Sequence, residues 1–368
     1  MVVVMASIAA ACSSAGTRRL TARDDRLGGG PRSIVQLGDS IASGEGTLYG
    51  YTYDSSKKVW TGGDVNAPWP PPYPDCHVSD DAYGKVVARA FSSDFHQYAC
   101  TGASFASGIV APEIVSGKTR RPAEFGDWST KQNLNADYDA AKPDLVLVTL
   151  GADDVVFSDI VEDCIKNGYK HYWAPCLYPL ECVDDNPGPT VKKDYFDFKP
   201  TLKKNYSTLG AWIQDRAKGN NVPIPKIVFT TYANPLPKKG ADCDDINYLY
   251  GDQVGYLTSL LQDMNGVIKS TIKDLNKRYP GVAVTDIEKA YQAEDIDHRW
   301  CTNDPWAYGL SIYKVSEPSS FYSLAPFHPT PAGQRAIADA VIPTVANLFR
   351  TAYPVDTTST TTPAPPGG

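Results

Sequence analysis

The sequence predicts an α/β fold with a parallel sheet covered by helices on both faces. Segments with strand-like apolar composition alternate with helical patterns along most of the 368 residues. Two of the strand segments, 144–151 and 226–233, are almost continuously apolar, as is typical of strands that are buried on both faces. We therefore expect the working groups to lie beyond the carboxyl ends of the strands.

Five segments have the composition of strands, and they span residues 33–38, 95–100, 144–151, 226–233 and 282–287. Helical patterns occupy residues 82–91, 200–218, 253–279 and 331–350. Polar residues or glycine come just after four of the strands, at Ser40, Gly102, Asp153 and Asn234. These four positions are the first candidates for a functional site.

The last predicted helix has clear N-terminal signals in the sequence. Thr330 can cap its N-terminus, and Pro331 suits the first helical position. An inward apolar stripe follows, with a kink expected at Pro343; the stripe consists of Ile337, Val341, Val345 and Leu348. His328 lies two residues before the cap, so the helix fixes the direction of its loop.

Length and composition favour one globular domain over residues 31–352, with a leader and linker at 1–30 and a disordered Thr/Pro tail at 353–368. The chain carries 35 basic and 42 acidic residues, a net charge of −7, which argues against nucleic acid as a partner. The sequence contains no uninterrupted stretch of 18 apolar residues, so it predicts no membrane-spanning helix. We expect a monomer.

The first sixteen residues combine an apolar run with small residues and Cys12, like the end of a bacterial lipoprotein signal, but they lack a basic start. We expect export to the outside of the cell. Two alternatives stay open, a membrane tether through a lipid on Cys12 or a signal peptide whose true start lies upstream. The eight cysteines lack CxxC or zinc-finger spacing, which favours disulfides in an oxidising compartment.

The turn Gly38-Asp39-Ser40 after the first strand raises the question of a serine nucleophile. Taken alone it is also ordinary turn chemistry. A serine hydroxyl needs a base to take its proton, so the hypothesis requires a histidine elsewhere. The chain contains five: His77, His96, His171, His298 and His328.

Four sequence blocks favour a serine nucleophile at Ser40 over an ordinary turn. They are GDSIASGEG at 38–46, CTGAS at 100–104, GADD at 151–154 and HPTPAGQ at 328–334. With these blocks in this order, residues 33 to 350 resemble the SGNH hydrolases, also called the GDSL esterases and lipases. The likeness is greatest to secreted actinobacterial members, which have a similar second block and several disulfides.

The resemblance implies a flavodoxin-like three-layer α/β/α sandwich with long disulfide-stapled loops. It implies Ser40 as nucleophile, His328 as general base, and the backbone N–H groups of Ser40 and Gly102 as oxyanion donors. No cofactor and no metal are implied. Gly102 and Gly44 permit close backbone approach to a ligand, although each can also be a plain turn glycine.

Asp153 departs from the family pattern, which has an asparagine oxyanion donor at this position. An ionised carboxylate only accepts hydrogen bonds and would repel an oxyanion about 4 Å away by roughly 4 kcal/mol at an effective dielectric near 20. Three outcomes follow: Asp153 is protonated and donates, it turns away, or catalysis is impaired. Asp154 is expected to be a structural cap or loop acceptor.

Ala325 is the second departure, because the family usually has an aspartate three residues before the histidine. The Ala325 carbonyl can accept the Nδ1–H bond and select the same tautomer, which gives a Ser-His dyad. A carbonyl stabilises the imidazolium less than a carboxylate does. Both departures predict a slower enzyme than a relative with a complete triad.

The resemblance and the order of the cysteines suggest the pairs Cys76 with Cys100 and Cys243 with Cys301. A further pair would come from Cys164, Cys176 and Cys182. The other four histidines are expected to be ordinary polar residues. Acidic clusters can bind calcium but are more typical of solvated surface; they contain Asp184, Asp185, Asp242, Asp244 and Asp245.

The substrate is less constrained by the sequence. Aromatic residues that can line an acyl groove, stack on sugars or simply pack together occur in two groups: Tyr49, Tyr51, Tyr53, Trp60, Trp69 and Tyr73, and the surroundings of Trp300 and Trp306. The leading prediction is a secreted ester hydrolase, an esterase or lipase, acting on a small-molecule ester, a lipid or an acylated glycan. The alternatives are a carbohydrate O-acetyl esterase and a catalytically impaired exported binding protein.

Overall fold

The computed structural model describes most of the predicted domain. The described residues are 30–63, 76–109, 113–115, 118–121, 135–155, 157, 160–161, 191–238, 240–241, 243, 251–293, 296–309 and 327–350.

Strands and helices alternate along these residues. The strands are β1 (Ser33–Gly38), β2 (Tyr51–Asp54), β3 (Val59–Gly62), β4 (Asp94–Gln97), β5 (Glu113–Val115), β6 (Lys118–Arg121), β7 (Leu145–Thr149), β8 (Lys226–Thr230) and β9 (Val282–Thr285). The helices are α1 (Ser40–Ser43), α2 (Tyr83–Phe91), α3 (Asn135–Ala141), α4 (Val191–Gly219), α5 (Gly251–Arg278) and α6 (Pro331–Phe349).

Five parallel strands form the central sheet in the order β4-β1-β7-β8-β9. Counted within the sheet, this is the order 2-1-3-4-5 of flavodoxin-like folds. Every residue of β1 and β7 is buried, because helices cover both faces. The prediction of a parallel α/β sheet is confirmed.

Two apolar layers complete the sandwich. On one face, α2 and α6 pack on the sheet through side chains such as Val87 and Ile337. On the other face, α4 and α5 do so through side chains such as Leu209 and Ile268. The three-layer α/β/α architecture expected from the resemblance is therefore present.

Most element boundaries agree with the sequence prediction, and the differences concern prolines and short strands. Helix α4 begins at Val191, before the predicted start at residue 200, and Pro200 lies inside it. Helix α6 runs through Pro343 to Phe349, in agreement with the predicted helix at 331–350. The hairpins β2–β3 and β5–β6 and the helices α1 and α3 were not predicted, because each spans only three to seven residues with little apolar periodicity.

The turn after β1 requires a residue without a side chain. Gly38 has φ +135°, and a Cβ at this position would lie 1.9 Å from the carbonyl oxygen of Thr149. The same oxygen accepts a hydrogen bond of 3.0 Å from the N–H of Asp39. The end of β1 is thus held against the end of β7 at the carboxyl edge of the sheet.

Among the described residues, two disulfides link distant segments, Cys76 with Cys100 and Cys243 with Cys301, which confirms both predicted pairs. Disulfides persist in oxidising compartments, so they are consistent with secretion. Cys12, Cys164, Cys176 and Cys182 lie outside the described residues. Within the described part of the chain, no helix has both the length and the apolar character needed to cross a bilayer.

We expect Gly38→Ala to lower the free energy of unfolding by about 3 kcal/mol, because it adds backbone strain and a clash with the Thr149 carbonyl. Gly266→Ala is the control, since Gly266 lies inside α5 with open space around it. The control should stabilise the protein by about 0.5–1 kcal/mol. Urea unfolding of the three proteins measures both effects, and equal stability of Gly38→Ala and wild type would contradict this account.

Candidate active site

Ser40 is the first residue of α1, directly beyond β1. Asp39 caps the helix, and its Oδ1 accepts a hydrogen bond of 3.0 Å from the N–H of Ile41. The Ser40 carbonyl accepts bonds from the N–H groups of Gly44 at 3.2 Å and Glu45 at 3.1 Å. This short turn raises the Ser40 side chain above the carboxyl edge of the sheet.

His328 meets Ser40 across 288 residues of sequence, with its Nε2 2.7 Å from the Ser40 Oγ. The predicted cap of α6 fixes the loop that carries it. Thr330 accepts the N–H of Gly333 on its side-chain oxygen at 3.2 Å, and Pro331 is the first helical residue. The structure thus brings together the two residues that the sequence predicts as nucleophile and general base, and their roles stay predictions.

The segment 296–309, here called the supporting segment, holds the histidine loop by its backbone. The N–H of Tyr308 donates to the His328 carbonyl at 3.0 Å, and the N–H of Thr330 donates to the Trp306 carbonyl at 2.9 Å. Phe327 has φ +66° and packs its ring against Trp300, with 5.6 Å between ring centroids. The disulfide at Cys301 anchors this segment.

Gln334 joins the histidine helix to the nucleophile helix. Its side chain is fully buried, donates to the carbonyl of Ile41 at 3.0 Å and accepts from the N–H of Tyr83 at 2.9 Å. The amide thus ties α6 to α1 and to the start of α2. The sequence block HPTPAGQ contained this residue, but a contact 293 positions away is not visible in the sequence.

Gly102 lies in the turn after β4, close to the end of β1. The N–H of Cys100 donates to the Gly38 carbonyl at 2.9 Å, which joins this turn to the nucleophile turn. Gly102 has φ +75°, a backbone conformation that glycine adopts readily. Within the described part of the chain, the N–H groups of Ser40 and Gly102 donate to no acceptor, so both remain available to a ligand.

Asp153 opens the short 3-10 turn Asp153–Val155 beyond β7. Tyr232 connects this turn to the nucleophile turn, because its hydroxyl donates to the Asp39 carboxylate and accepts from the N–H of Ala152 at 2.9 Å. Burial, followed by the charge of Asp39, raises the pKa of Tyr232 well above its ordinary value. The hydroxyl therefore stays protonated and holds the two turns together; no pattern in the sequence predicted this role for Tyr232.

Comparison with known protein families supports the same assignment of the sequence blocks. The sequence model of the GDSL-like Lipase/Acylhydrolase family matches residues 37–336, which include all four blocks. The chain belongs to this family. It is therefore a serine ester hydrolase of the GDSL type.

Solved structures similar to this GDSL hydrolase include two from Streptomyces. The phospholipase A1 of Streptomyces albidoflavus NA297 is 21% identical, with a TM-score of 0.45, and the match covers 87% of this chain and 98% of that one. The extracellular lipase of Streptomyces rimosus is also 21% identical, with a TM-score of 0.44 and coverage of 85% and 97%.

A family two carbohydrate esterase from Clostridium thermocellum is 13% identical, with a TM-score of 0.41 and coverage of 87% of this chain and 65% of that one. A comparison with curated proteins found no match.

Asp154 of this GDSL hydrolase is a loop acceptor, as predicted from the sequence. Its carboxylate accepts the N–H of Phe105 at 3.0 Å and the side-chain amide of Asn205 at 2.9 Å. It therefore links the turn beyond β7 to the loop beyond β4 and to α4. Burial raises the pKa of Asp154 to about 6, and these two hydrogen bonds oppose that rise only in part.

Two of the other described histidines have side-chain partners. His77 Nδ1 lies 2.5 Å from a carboxylate oxygen of Glu45, and the ring of His298 stacks on Trp306 at 3.7 Å. His96 lies in β4. The described residues contain no group of three side chains suited to hold a metal ion.

Several predicted site residues lie outside the described residues; they are Ala325, His171, Asp184, Asp185, Asp242, Asp244 and Asp245.

The described aromatic residues favour packing over a ligand platform. Tyr49, Trp60 and Tyr308 are buried in one cluster, with Tyr51 and Tyr53 packed against it. The rings of Trp60 and Tyr308 are 4.8 Å apart between centroids, and Tyr51 and Tyr308 are 5.5 Å apart. Hairpin β2–β3 thereby packs against the residue that holds the His328 carbonyl. Trp69 and Tyr73 lie outside the described residues.

We expect Asp154→Asn to stabilise the protein above pH 6 but not at pH 4. A folded-state pKa near 6, above the unfolded value, means that Asp154 lowers the free energy of unfolding progressively as the pH rises from about 4 to 6. The amide keeps an oxygen acceptor for Phe105 and removes the buried charge. The difference between variant and wild type should grow to about 3 kcal/mol at pH 8.

Urea unfolding at pH 4, 6 and 8 measures this difference. If the difference in free energy of unfolding stays constant across this range, ionisation of Asp154 does not destabilise the folded state, which would contradict this account.

Proposed function

We propose that this enzyme hydrolyses carboxylic esters through an acyl-enzyme formed on Ser40, with His328 as the general base. The Ser40 Oγ attacks the ester carbonyl carbon while His328 Nε2 takes the hydroxyl proton. The resulting imidazolium gives that proton to the leaving alcohol as the tetrahedral intermediate collapses. Water then attacks the acyl group with the same base, which releases the acid and restores Ser40.

The observation that carries this proposal is the 2.7 Å contact between His328 Nε2 and Ser40 Oγ. This distance is within reach for proton transfer. For Nε2 to accept the hydroxyl proton, the neutral ring must carry its own proton on Nδ1. The Ala325 carbonyl remains our proposed acceptor for that proton.

The free N–H groups of Ser40 and Gly102 support an oxyanion site with two backbone donors. Such donors act where negative charge develops in the tetrahedral intermediate. Asp153 would be a third donor only in its protonated form, and otherwise it turns away from the oxyanion. Losing one donor typically costs about 2.7–4 kcal/mol of transition-state stabilisation, which slows an enzyme without abolishing its activity.

We further infer that the enzyme is exported and works outside the cell as a monomer, free or tethered by a lipid on Cys12. The two disulfides support an oxidising compartment. The substrate is a small-molecule ester, a lipid or an acylated glycan.

Hydrolysis of p-nitrophenyl esters from acetate to palmitate tests the function and the acyl preference together. Wild type should turn over part of this series, and Ser40→Ala should lose at least about 10³-fold because the nucleophile is removed. His96→Gln is the matched control for His328→Asn, since His96 lies in β4 and pairs with Val35 of β1, five residues before Ser40 in the chain.

Only His328→Asn of these two histidine variants should lose activity. Activity on acetate alone, with acetate release from acetylated glycans, would assign the carbohydrate esterase alternative. No hydrolysis by wild type would favour the exported binding protein and contradict the proposal.

We expect Asp153→Asn to raise the rate at neutral pH by about tenfold or more, because an amide donates to the oxyanion at every pH. Wild type should recover relative to the variant in acid, where the carboxyl is protonated and can donate. The measurement is kcat/KM for both proteins from pH 5 to 9. A ratio that stays constant over this range would remove Asp153 as a protonated donor.

A further inference from the structure

Glu45 carries a buried carboxylate five residues after Ser40. Its side chain is fully shielded from solvent. Burial of an ionised carboxylate costs several kcal/mol unless polar partners replace the lost water. Here the Tyr49 hydroxyl donates to Oε1 at 2.5 Å, and Nδ1 of His77 lies 2.5 Å from Oε2. Both carboxylate oxygens therefore have a partner.

These contacts favour the charged form of Glu45. Burial by itself raises its pKa, but the hydrogen bond from His77, the charge of His328 and the hydroxyl of Tyr49 together hold the pKa below its ordinary value. Glu45 therefore carries a buried negative charge at neutral pH, and this charge interacts electrostatically with His328.

Backbone contacts fix the position of Glu45 relative to the dyad. The N–H of Glu45 donates to the Ser40 carbonyl at 3.1 Å, in the turn that also carries the predicted nucleophile. Its partner Tyr49 belongs to the aromatic cluster with Tyr308, and the N–H of Tyr308 donates to the His328 carbonyl. Glu45 is therefore fixed relative to both Ser40 and His328.

We propose that Glu45 is a positioning residue for the reaction, a buried negative charge that stabilises the imidazolium of His328 without bonding to the ring. This inference rests on the proposed function. Attraction between the carboxylate and the ring is strong only once the ring has taken the Ser40 proton, so it acts more on the transition state than on the ground state. It would compensate in part for the missing aspartate at Ala325.

A purely structural role for Glu45 is the competing explanation, since it joins the nucleophile turn to the segment around His77. That junction has other contacts. The N–H of Ser79 donates to the Ser43 carbonyl at 2.9 Å, and the hydroxyls of Thr47 and Ser79 lie 2.6 Å apart. An ionised carboxylate is not needed to hold these segments together. The charge of Glu45 therefore favours a role in the reaction over a purely structural one.

Other ionisable groups surround the dyad and enter any pH profile. They are Asp39 next to Ser40, His77 and Asp81 in the segment after Cys76, Tyr49 and Tyr51 before and in β2, and Tyr308 beside His328. Among these, protonated His77 would cancel part of the Glu45 charge. The test therefore varies His77 as well as Glu45.

The imidazole of His328 can be titrated directly by NMR on protein with ¹³C-labelled histidine, with His328→Asn to assign the signal. We expect its pKa to fall by about one pH unit in Glu45→Gln, because an opposite charge is lost. The control Asp144→Asn removes a carboxylate at the other end of β7 and should leave it unchanged. An unchanged His328 titration in Glu45→Gln would overturn the proposal.

The pH profile of kcat/KM gives the catalytic readout. In Glu45→Gln the acid limb should move down by about one pH unit, and the plateau should fall roughly tenfold. His77→Gln keeps a hydrogen-bond donor to the carboxylate, so its plateau should stay within about threefold of wild type. A lower rate in Glu45→Gln with an unmoved acid limb would indicate a structural role and contradict the proposal.

Two further results separate the possible failures. If Glu45→Gln does not fold, the wild-type titration decides, because a His328 pKa above about 6.5 supports the proposal and a value at or below it overturns it. If wild type hydrolyses no ester, the proposed function fails, while the NMR titration still reports whether Glu45 acts on His328.

Discussion

The absence of a side chain at residue 38 is the constraint on which the site depends. A Cβ there would lie 1.9 Å from the carbonyl oxygen of Thr149, so only glycine lets β1 end against β7. The N–H of Asp39 then reaches that oxygen, and Asp39 caps α1 with Ser40 at its first position. The turn beyond β4 joins the same point, because Cys100 donates to the carbonyl of Gly38. Three carboxyl ends of parallel strands thereby converge on one serine.

The histidine reaches this point through a separate set of contacts. The supporting segment holds the His328 backbone, Thr330 caps α6, and the buried amide of Gln334 ties α6 to the carbonyl of Ile41. Each contact is a modest hydrogen bond, worth about 1 kcal/mol in net stability. Together they fix a side chain from the C-terminal part of the domain within 2.7 Å of one that directly follows its first strand.

Local signals explain what could be predicted from the sequence. The continuous apolar runs of β7 and β8 predicted buried parallel strands, and Thr330-Pro331 predicted the start of α6 to the residue. Ser40 and His328 were predicted as site residues through the blocks that surround them. Both disulfide pairs came from the family resemblance rather than from spacing.

Residues whose roles depend on distant partners escaped prediction. Tyr232 lies at the end of an ordinary apolar strand pattern, and only the fold brings its hydroxyl to Asp39, 193 positions away. Glu45 belongs to the nucleophile block, but its burial and its contact with His77 follow from packing of the loop around Cys76. Short hairpins such as β2–β3 lack the apolar alternation that makes strands recognisable.

Covalent labelling tests the pairing of Ser40 with His328 most directly. A fluorophosphonate reacts with a serine hydroxyl only when a nearby base activates it. Mass mapping of the labelled native protein should find one adduct, on Ser40, and His328→Asn should abolish it. Labelling of Ser40 at an undiminished rate in His328→Asn, or an adduct on a different serine, would contradict the account.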